Sequence, residues 1–397
     1  MKIMMAALFW LSVLFILYTY FGYPILIAIL AKLKTKSGPY PESSPFVTFI
    51  IAAYNEETCI ADKLDNTLAL EYPPDKLQII VAADGSSDQT PNIVKTYSNH
   101  NHQVELSYIP VRNGKMAAIS RAVSQAQGEI VIVSDANNTY DDKAIRKLVA
   151  PFIDKTVGLT TGAKLIVEDG NNLSSSEGLY WKYESSIKEN ETILGTCTVA
   201  VGEILAIRKD LFIPPEKSVV LDDQYMVLIV LRQGYRVIYT PEARSFEYVS
   251  QTAKDEVERR LKINAGLYQM LAMSGKLFPF NRPLLILQLL SHKFFRVFVP
   301  FAMIIAFVSN LVLAIWGEKM VSRDLWQLAS PFWGIVLVLQ VTFYLLAVLG
   351  NIISVRGLLG KILYLPTFLV NSNMATIAGL YSFATNKNPH IWKRVRR

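Results

Sequence analysis

Residues 46–56 read FVTFIIAAYNE, an unbroken apolar run that ends in a polar turn. The β-branched and aromatic residues of this run predict a strand over Phe46–Ala53 that is buried on both faces. Such a strand needs helices on each side of its sheet, so the stretch favours the α/β class. The polar group Tyr54-Asn55-Glu56 follows at the carboxyl end of the strand, where open α/β sheets bind their ligands.

The residues that follow alternate between apolar runs and segments of helical spacing. Further strands are predicted at Leu77–Ala83, Val104–Ile109 and Ile130–Ser134. Helices are predicted at Glu56–Leu70, Pro91–Tyr97, Lys115–Gln127 and Asp141–Ile153. Gly128 is expected to cap the third of these helices. This order predicts a parallel or mostly parallel sheet covered by helices.

Polar turns follow two more of these strands. The second strand ends in Asp84-Gly85-Ser86-Ser87-Asp88, and the fourth ends in Asp135-Ala136-Asn137. Carboxylates repel a diphosphate, so a nucleotide site at these turns needs a divalent cation. Mg²⁺ and Mn²⁺ take oxygen ligands, which Asp135 and Asn137 would supply. An ordinary strand-to-helix turn explains the same spacing equally well, and Asp88 fits a helix N-cap.

Two later segments carry further candidate chemistry. Arg112-Asn113-Gly114-Lys115 precedes a helix and suits an anion, although a plain turn with a solvated lysine fits as well. Asp222-Asp223 opens the apolar helix Gln224–Leu231, where adjacent acids suit the helix dipole. The functional alternative makes one of these acids a general base, with a pKa raised by burial beside its neighbour.

Several classes of function lose their sequence support. The chain has neither a G-x-G-x-x-G nor a Walker A motif, which disfavours dinucleotide redox chemistry and P-loop hydrolysis. Its two cysteines, Cys59 and Cys197, give no disulfide framework. The four histidines have no zinc spacing.

The composition predicts membrane spans. Mean hydropathy is +0.27, and 51% of the residues are hydrophobic. Uncharged stretches long enough to cross about 30 Å of hydrocarbon are Ile3–Ala31, Val297–Gly317, Leu325–Val355 and Ile362–Asn386. The last is interrupted by Pro366 and by Asn371-Ser372-Asn373. The shorter apolar segment Phe278–Lys293 predicts an interfacial helix.

These stretches divide the chain into five predicted parts. They are an N-terminal anchor (1–36), a soluble domain (37–277), an interfacial helix (278–296), a C-terminal membrane region (297–386) and a basic tail (387–397). Lys32, Lys34 and Lys36 follow the first span, and juxtamembrane basic residues mark the cytoplasmic side. The soluble domain and the tail are therefore both expected in the cytoplasm. Three further crossings would place the tail outside, so the number of spans stays at three or four.

Six motifs together resemble glycosyltransferase family 2, the family of the cellulose, chitin and hyaluronan synthases. The resemblance covers about Phe46 to Met270. The matching segments are VTFIIAAYNEE, AADGSSDQT, RNGKMAAI, VSDANNTY, VGEILAIRKDLF and VVLDDQYMVLIVLRQGYRVIY, in the order of the family. The resemblance implies an α/β fold: a GT-A-type (Rossmann-like) nucleotide-sugar-binding domain with α-helical transmembrane segments.

The resemblance also implies roles for particular residues. Asp223 would be the catalytic base that deprotonates the acceptor hydroxyl in a single displacement with inversion. Asp135 and Asn137 would hold Mg²⁺ or Mn²⁺ and the diphosphate. The remaining predicted nucleotide-sugar-binding residues are Ala53, Asn55, Glu56, Asp84, Lys115, Arg260 and Lys262.

Two departures from the family pattern matter. The D-x-D of the family is D-x-N here, so Asn137 replaces a charged ligand with a neutral amide. Polymer-forming members carry Q-x-x-R-W after the base, whereas residues 258–263 read ERRLKI and lack the tryptophan. The second departure puts processive chain extension in doubt.

The leading hypothesis is an inverting transferase at the inner membrane of a bacterium. It would move a sugar from a UDP-sugar to a glycan or lipid-linked acceptor in polysaccharide synthesis, with no nucleic-acid partner. The first alternative is transfer of a single sugar to a polyprenyl-phosphate carrier. A membrane transporter is disfavoured because the predicted spans contain no charged residue.

Overall fold

The structure is a computed structural model. It describes residues 2–35, 38–167, 172–216, 219–247, 253–316, 333–353 and 358–385. The predicted basic tail, 387–397, and part of the predicted span Leu325–Val355 lie outside these residues. Two compact units divide the chain. Among the described residues, the sheet unit comprises those within 27–256 and 269–289, and the membrane unit comprises those within 2–26, 257–268 and 290–385.

The sheet unit is built on one eight-stranded sheet. Its strands are β1 (Val47–Ala53), β2 (Leu77–Asp84), β3 (Val104–Ile109), β4 (Ile130–Asp135), β5 (Thr139–Tyr140), β6 (Val157–Ile166), β7 (Leu205–Arg208) and β8 (Arg236–Glu247). They are arranged in the order β3-β2-β1-β4-β7-β6-β8-β5. The sheet brings β1 between β2 and β4, so three of the predicted polar turns are neighbours.

Helices lie before, between and after these strands in the described part of the chain. In chain order they are α1 (Lys2–Leu17), α2 (Tyr23–Lys32), α3 (Ile60–Leu68), α4 (Thr90–His100), α5 (Lys115–Gln125), α6 (Ala144–Val149), α7 (Asn172–Leu194), α8 (Asp222–Arg232), α9 (Ala253–Ala272), α10 (Ser274–Leu277), α11 (Pro283–Leu289), α12 (Val299–Trp316), α13 (Trp333–Ile352) and α14 (Leu358–Ala384).

The parallel half of the sheet confirms the strand predictions. Strands β1, β2, β3 and β4 run parallel, with Ile50 of β1 paired to Ile80 of β2 and to Val133 of β4. Every residue of β2 is buried, as expected for a strand covered by helices on both faces. The α/β class predicted from residues 46–56 is therefore confirmed.

The other half of the sheet adds antiparallel pairs to the predicted, mostly parallel arrangement, although β6 and β8 in this half run parallel. Strand β7 pairs antiparallel with both β4 and β6, and β5 pairs antiparallel with β8. Strand β6 carries Thr160, Thr161 and Lys164 at buried positions. These polar side chains break the apolar run that identified the other strands, so periodicity alone did not reveal this half.

Three helices of the described chain are long and apolar enough to cross a membrane. They are Lys2–Lys32, Pro283–Trp316 and Trp333–Ile352. By length and composition they mark a membrane protein. The fourth predicted stretch lies in α14, which is not among them and which contains Lys361 and Pro366. In the membrane unit, Asn310 of α12 donates to Gln340 of α13 across 2.8 Å.

The separate interfacial helix predicted at 278–296 is not a separate element. Helix α11 begins at Pro283, and helical turns over Leu290–Phe294 and Phe295–Phe298 follow it to the start of α12. The chain is helical from Pro283 to Trp316 and forms one candidate span. In the sequence, the charged residues Lys293 and Arg296 interrupt the apolar stretch. One helix was therefore predicted as two separate segments.

Gly128 has a different role from the predicted helix cap. Helix α5 ends before it, and a Cβ at Gly128 would lie 2.5 Å from the backbone nitrogen of Thr48. The Gly128 amide also donates to Thr48 Oγ1 at 2.9 Å, and Thr48 donates on to Gln78 at 2.7 Å. The absence of a side chain lets the chain pass directly against the start of β1.

The close approach at Gly128 gives a test of the packing. Gly128→Ala forces a methyl group against backbone, so we expect a loss of about 1–3 kcal/mol in the free energy of unfolding. Gly178→Ala is the matched control, because Gly178 lies in α7 with open space around its Cβ position. That control should be neutral or stabilising by up to about 1 kcal/mol. Thermal unfolding of detergent-purified protein measures the stability of both variants. Equal melting temperatures would contradict the close packing of Gly128 against the start of β1.

Candidate active site

The candidate site lies at the carboxyl edge of β1, β2 and β4. Ala53 is the last residue of β1, and Asp84 and Asp135 are the last residues of β2 and β4. Because these strands are parallel neighbours, the turns that follow them adjoin one another. The sequence prediction that these turns share one site is consistent with this placement.

The first two turns are bound to each other through Asn55. Its φ of 54° is a left-handed conformation that few residues other than glycine adopt. The Asn55 amide nitrogen donates to Ser86 Oγ at 3.1 Å, and its side-chain oxygen accepts from the Ser87 backbone at 2.8 Å. Glu56 adds a bond from its backbone nitrogen to Thr90 Oγ1 at 2.8 Å. Asn55 and Glu56 therefore connect the turn after β1 to the segment after β2, at the edge of the predicted nucleotide site.

Asp84 fixes the start of α5. Its buried carboxylate accepts from the backbone nitrogen of Asn113 at 3.1 Å and of Gly114 at 2.6 Å. Gly114 has a φ of 96°, which places the chain for the first turn of the helix. The guanidinium of Arg112 lies 3.4 Å from the centre of the Tyr54 ring. The Arg112–Lys115 segment is thus held to both of the first two turns.

Lys115 joins three separate parts of the chain. Its ammonium group lies 2.8 Å from Asp135 Oδ1 at the end of β4 and 2.9 Å from Asp222 Oδ2 at the start of α8. Burial lowers the pKa of Lys115, but the two carboxylates outweigh burial, so this pKa lies above its usual range. The group stays charged and draws two acids into one cleft.

Asp223 lies beside this ion pair. Asp222 is buried, whereas Asp223 is only partly buried and its Oδ1 accepts from the Gln224 backbone at 2.7 Å. A Cβ on Gly202 would lie 3.3 Å from the Asp223 Cβ, so Gly202 leaves room at the carboxylate. Of the two acids, Asp223 is the more accessible, as a base requires.

The Asp135–Asn138 turn is anchored from the side of the core. Asn138 accepts at its Oδ1 from Lys63 at 2.7 Å and from Ser134 at 3.0 Å. Lys63 is fully buried, and burial lowers its pKa to about 7 against the opposing charges of Asp135 and Glu203. Its ammonium group also lies 4.3 Å from the centre of the Tyr140 ring.

The residues at this turn fit a divalent cation bound together with a diphosphate. Asp135 is one-third exposed, and Asn137 is partly buried two residues later. In the described part of the chain, no group of three or more His, Cys, Asp or Glu side chains converges on a metal-sized site. Mg²⁺ in nucleotide sites uses one or two protein carboxylates, and phosphates and water complete its shell. Asp135 and Asn137 would provide such a partial shell.

Arg260 and Lys262 lie in the membrane unit, on α9. The Arg260 guanidinium donates to Ser372 of α14 and lies 4.8 Å from the centre of the Phe368 ring. The Arg260 carbonyl accepts from Asn264 at 2.9 Å. The predicted contact of these two cations with the leaving diphosphate stays a prediction.

The fold is shared with a solved transferase structure. The mannosyltransferase PcManGT of Pyrobaculum calidifontis, solved with GDP-Man and Mn²⁺, superposes with a TM-score of 0.68 at 22% identity. The match covers 97% of this chain and 100% of that protein. The profile of glycosyl transferase family 2 matches residues 48–213.

Residues 48–213 form a family 2 glycosyltransferase domain. The match includes the turns at Asn55, Asp84 and Asp135 and extends beyond Gly202. The predicted family and its GT-A-type fold are confirmed. Asp223 lies ten residues beyond the matched range, so its role stays a prediction.

Curated relatives cover part of the chain. Poly-beta-1,6-N-acetyl-D-glucosamine synthase of Staphylococcus aureus is 26% identical over 244 residues, which are 59% of this chain and 58% of that protein. The synthase of the same name from Staphylococcus epidermidis is 25% identical over 230 residues, 57% of this chain and 55% of that protein. The chain thus matches little more than half the length of these relatives.

Some residues that shape the site from the core were not identified from the sequence. Lys63 lies on the buried face of α3 with Ile60, Leu64 and Thr67, so a charge at a core position was the available signal. Glu203 and Glu247 are also buried, but each belongs to a region without clear periodicity. Glu203 lies just before β7, and Glu247 ends β8, which pairs parallel with β6.

Lys63 predicts a pH dependence of stability. Its folded pKa of about 7 lies below the reference value of 10.5, so between these values the unfolded chain holds the extra proton. The free energy of unfolding therefore increases as pH rises from 7 toward 10. Below pH 7 the folded protein bears the full cost of burying the charge of Lys63. Lys63→Met removes this titration.

We expect the difference in unfolding free energy, variant minus wild type, to fall as pH rises from 7 toward 10. Thermal denaturation at stepped pH measures it. The control is Lys76→Met, because Lys76 is exposed. Parallel pH curves for Lys63→Met and wild type would contradict the burial argument.

Proposed function

We propose that this protein is an inverting membrane glycosyltransferase that takes its sugar from a nucleoside-diphosphate donor. The observation that carries the proposal is the Lys115 contact with both Asp135 and Asp222. In this contact the Asp135–Asn138 turn, our candidate binding site for the diphosphate, lies next to the acid pair Asp222-Asp223. The family 2 domain and the fold shared with PcManGT support the same chemistry.

The proposed mechanism is a single displacement. Asp223 accepts the proton of an acceptor hydroxyl, and the hydroxyl oxygen forms a bond to the anomeric carbon of the donor sugar. The bond from that carbon to the diphosphate breaks, and the diphosphate leaves with the electron pair. A divalent cation held by Asp135 and Asn137 would supply electrostatic stabilisation of the leaving charge. Lys115 adds a fixed positive charge at the same side of the cleft.

The donor class is proposed from the relatives and the site together. PcManGT was solved with GDP-Man and Mn²⁺, and the staphylococcal relatives are named as N-acetylglucosamine polymer synthases. We propose a UDP-sugar donor with Mn²⁺ or Mg²⁺ and a glycan or lipid-linked acceptor. We also propose an inner-membrane location with a cytoplasmic sheet unit, because Lys32 and Lys34 lie at the end of the first span.

Asp223→Asn tests the base. The variant should lower kcat by about 10²–10⁴-fold, because the amide cannot accept the acceptor proton. Its affinity for the donor nucleotide should stay nearly unchanged. Release of the nucleoside diphosphate, assayed across a panel of sugar nucleotides with Mn²⁺, gives both quantities. Full transfer activity in this variant would rule out Asp223 as the base.

Asp222→Asn is the matched control for the neighbouring acid. Asp222 contacts Lys115, so its loss should weaken donor binding and raise KM. The two variants together separate a base from a positioning role. The size of the product then separates a polymer synthase, which gives a ladder of oligomers, from an enzyme that adds one sugar to a polyprenyl-phosphate carrier.

A further inference from the structure

A buried ionic cluster lies beneath the Asp135–Asn138 turn, and the proposed mechanism does not use it. Lys164 of β6 lies 2.6 Å from Glu203 Oε2 and also contacts Glu247 Oε2 at the end of β8. The side chains of these three residues are 5%, 6% and 2% exposed. The free-energy cost of burying charged groups can exceed the gain from their mutual attraction. A contribution to stability is therefore a weak explanation for this cluster.

The cluster holds the turn at two points. Asn138 Nδ2 donates to the Glu203 carbonyl at 3.0 Å and to Ser245 Oγ at 2.8 Å, which fixes the backbone of the turn. Ser245 itself donates to Glu203 Oε1 at 2.9 Å. The second point is the side chain of Asn137, whose Nδ2 donates to Glu247 Oε1 at 3.1 Å.

The contact between Asn137 and Glu247 has only one chemically acceptable orientation. An ionised carboxylate accepts hydrogen bonds and donates none. The ammonium group of Lys164 contacts the other oxygen of Glu247, so both oxygens of this side chain face a donor group. Only the NH₂ group of Asn137 can therefore face Glu247, and the amide oxygen is directed away from the cluster.

We propose that Glu247 is a positioning residue that fixes the amide of Asn137 with its oxygen toward the divalent cation of the donor complex. This inference rests on the proposed function. A neutral amide binds a hard cation through its oxygen alone, so the orientation of Asn137 decides whether the D-x-N turn offers one ligand or two. A carboxylate at position 137 would face Glu247 with like charge, which accounts for the amide here.

Glu247→Gln tests this orientation without shortening the side chain. The oxygen of the new amide is drawn to the Lys164 ammonium, so its NH₂ group faces Asn137 and turns the Asn137 oxygen toward itself. The Asn137 nitrogen then faces the cation. Changes in such supporting partners commonly cost about 10–100-fold in metal affinity. We expect the Kd for Mn²⁺, measured with UDP present by the paramagnetic signal of free Mn²⁺, to rise by that factor.

Glu203→Gln is the matched control. It removes the same charge from the same cluster, but the Glu203 carboxylate binds Lys164 and Ser245, whereas Asn137 donates to Glu247. Its Kd for Mn²⁺ should stay within about threefold of wild type, well below the 10–100-fold change expected for Glu247→Gln. Binding of UDP in the presence of a chelator should be the same in all variants, and melting temperatures identify any variant that fails to fold.

Asn137→Asp changes the charge at position 137, and its effect on Mn²⁺ affinity should reverse sign with the charge at position 247. In the native background, the new carboxylate at position 137 meets the charge of Glu247, so Mn²⁺ affinity should fall. In the Glu247→Gln background, the same carboxylate accepts from the NH₂ group at position 247 and presents its second oxygen to the cation. The double variant should therefore bind Mn²⁺ more tightly than Glu247→Gln alone.

Two outcomes overturn the inference, and a third identifies a deeper failure. Equal Kd values for Glu247→Gln and Glu203→Gln would remove the positioning role, as would a double variant no better than Glu247→Gln. Both results leave the proposed function intact. If wild type itself retains no Mn²⁺ with either UDP or GDP, the metal-assisted function fails, and the inference fails with it.

Discussion

One ammonium group holds together segments that are far apart in the sequence. Lys115 contacts Asp135 from β4 and Asp222 from α8. Without a cation between them, these carboxylates would repel each other across a partly buried cleft. The position of Lys115 depends in turn on Asp84, which holds the backbone at Gly114. The site is therefore a chain of dependent contacts that begins at the end of β2 and reaches Asp223.

The sequence predicts the part of the fold in which burial is uniform. Strands β1, β2 and β4 are covered on both faces, and their apolar runs identified them to within one residue at each end. Strands β6 and β8 place polar and charged side chains in the interior, among them Lys164 and Ser245. Such residues look like surface residues in a sequence, and their partners come from other strands. Periodicity therefore could not assign them.

The residues of the candidate site divide in the same way: local sequence patterns identify some of them, and contacts between distant segments place the others. The sequence located Asp84, Asp135 and the pair Asp222-Asp223 because strand ends and helix starts are local features, and the family resemblance selected Asp223 from the pair. It did not reveal what their oxygens contact, since Asp84 binds amides in the turn before α5 and Asn137 meets Glu247 from 110 residues away. The sequence also showed a neutral amide, Asn137, where the family pattern has a charged ligand. The buried cluster around Lys164 offers a physical reason why an amide is used at that position.

The bond between Asn310 and Gln340 has a consequence for how the protein enters the bilayer. Both residues lie well inside helices that are otherwise almost wholly apolar, and Asn310 is fully buried. An amide without a partner is costly in hydrocarbon, whereas a bond between two helices offsets part of that cost. Helix α12 therefore becomes most stable only when α13 has been delivered beside it. Insertion of these two helices as a hairpin, rather than one at a time, is the order that this single hydrogen bond favours during biogenesis.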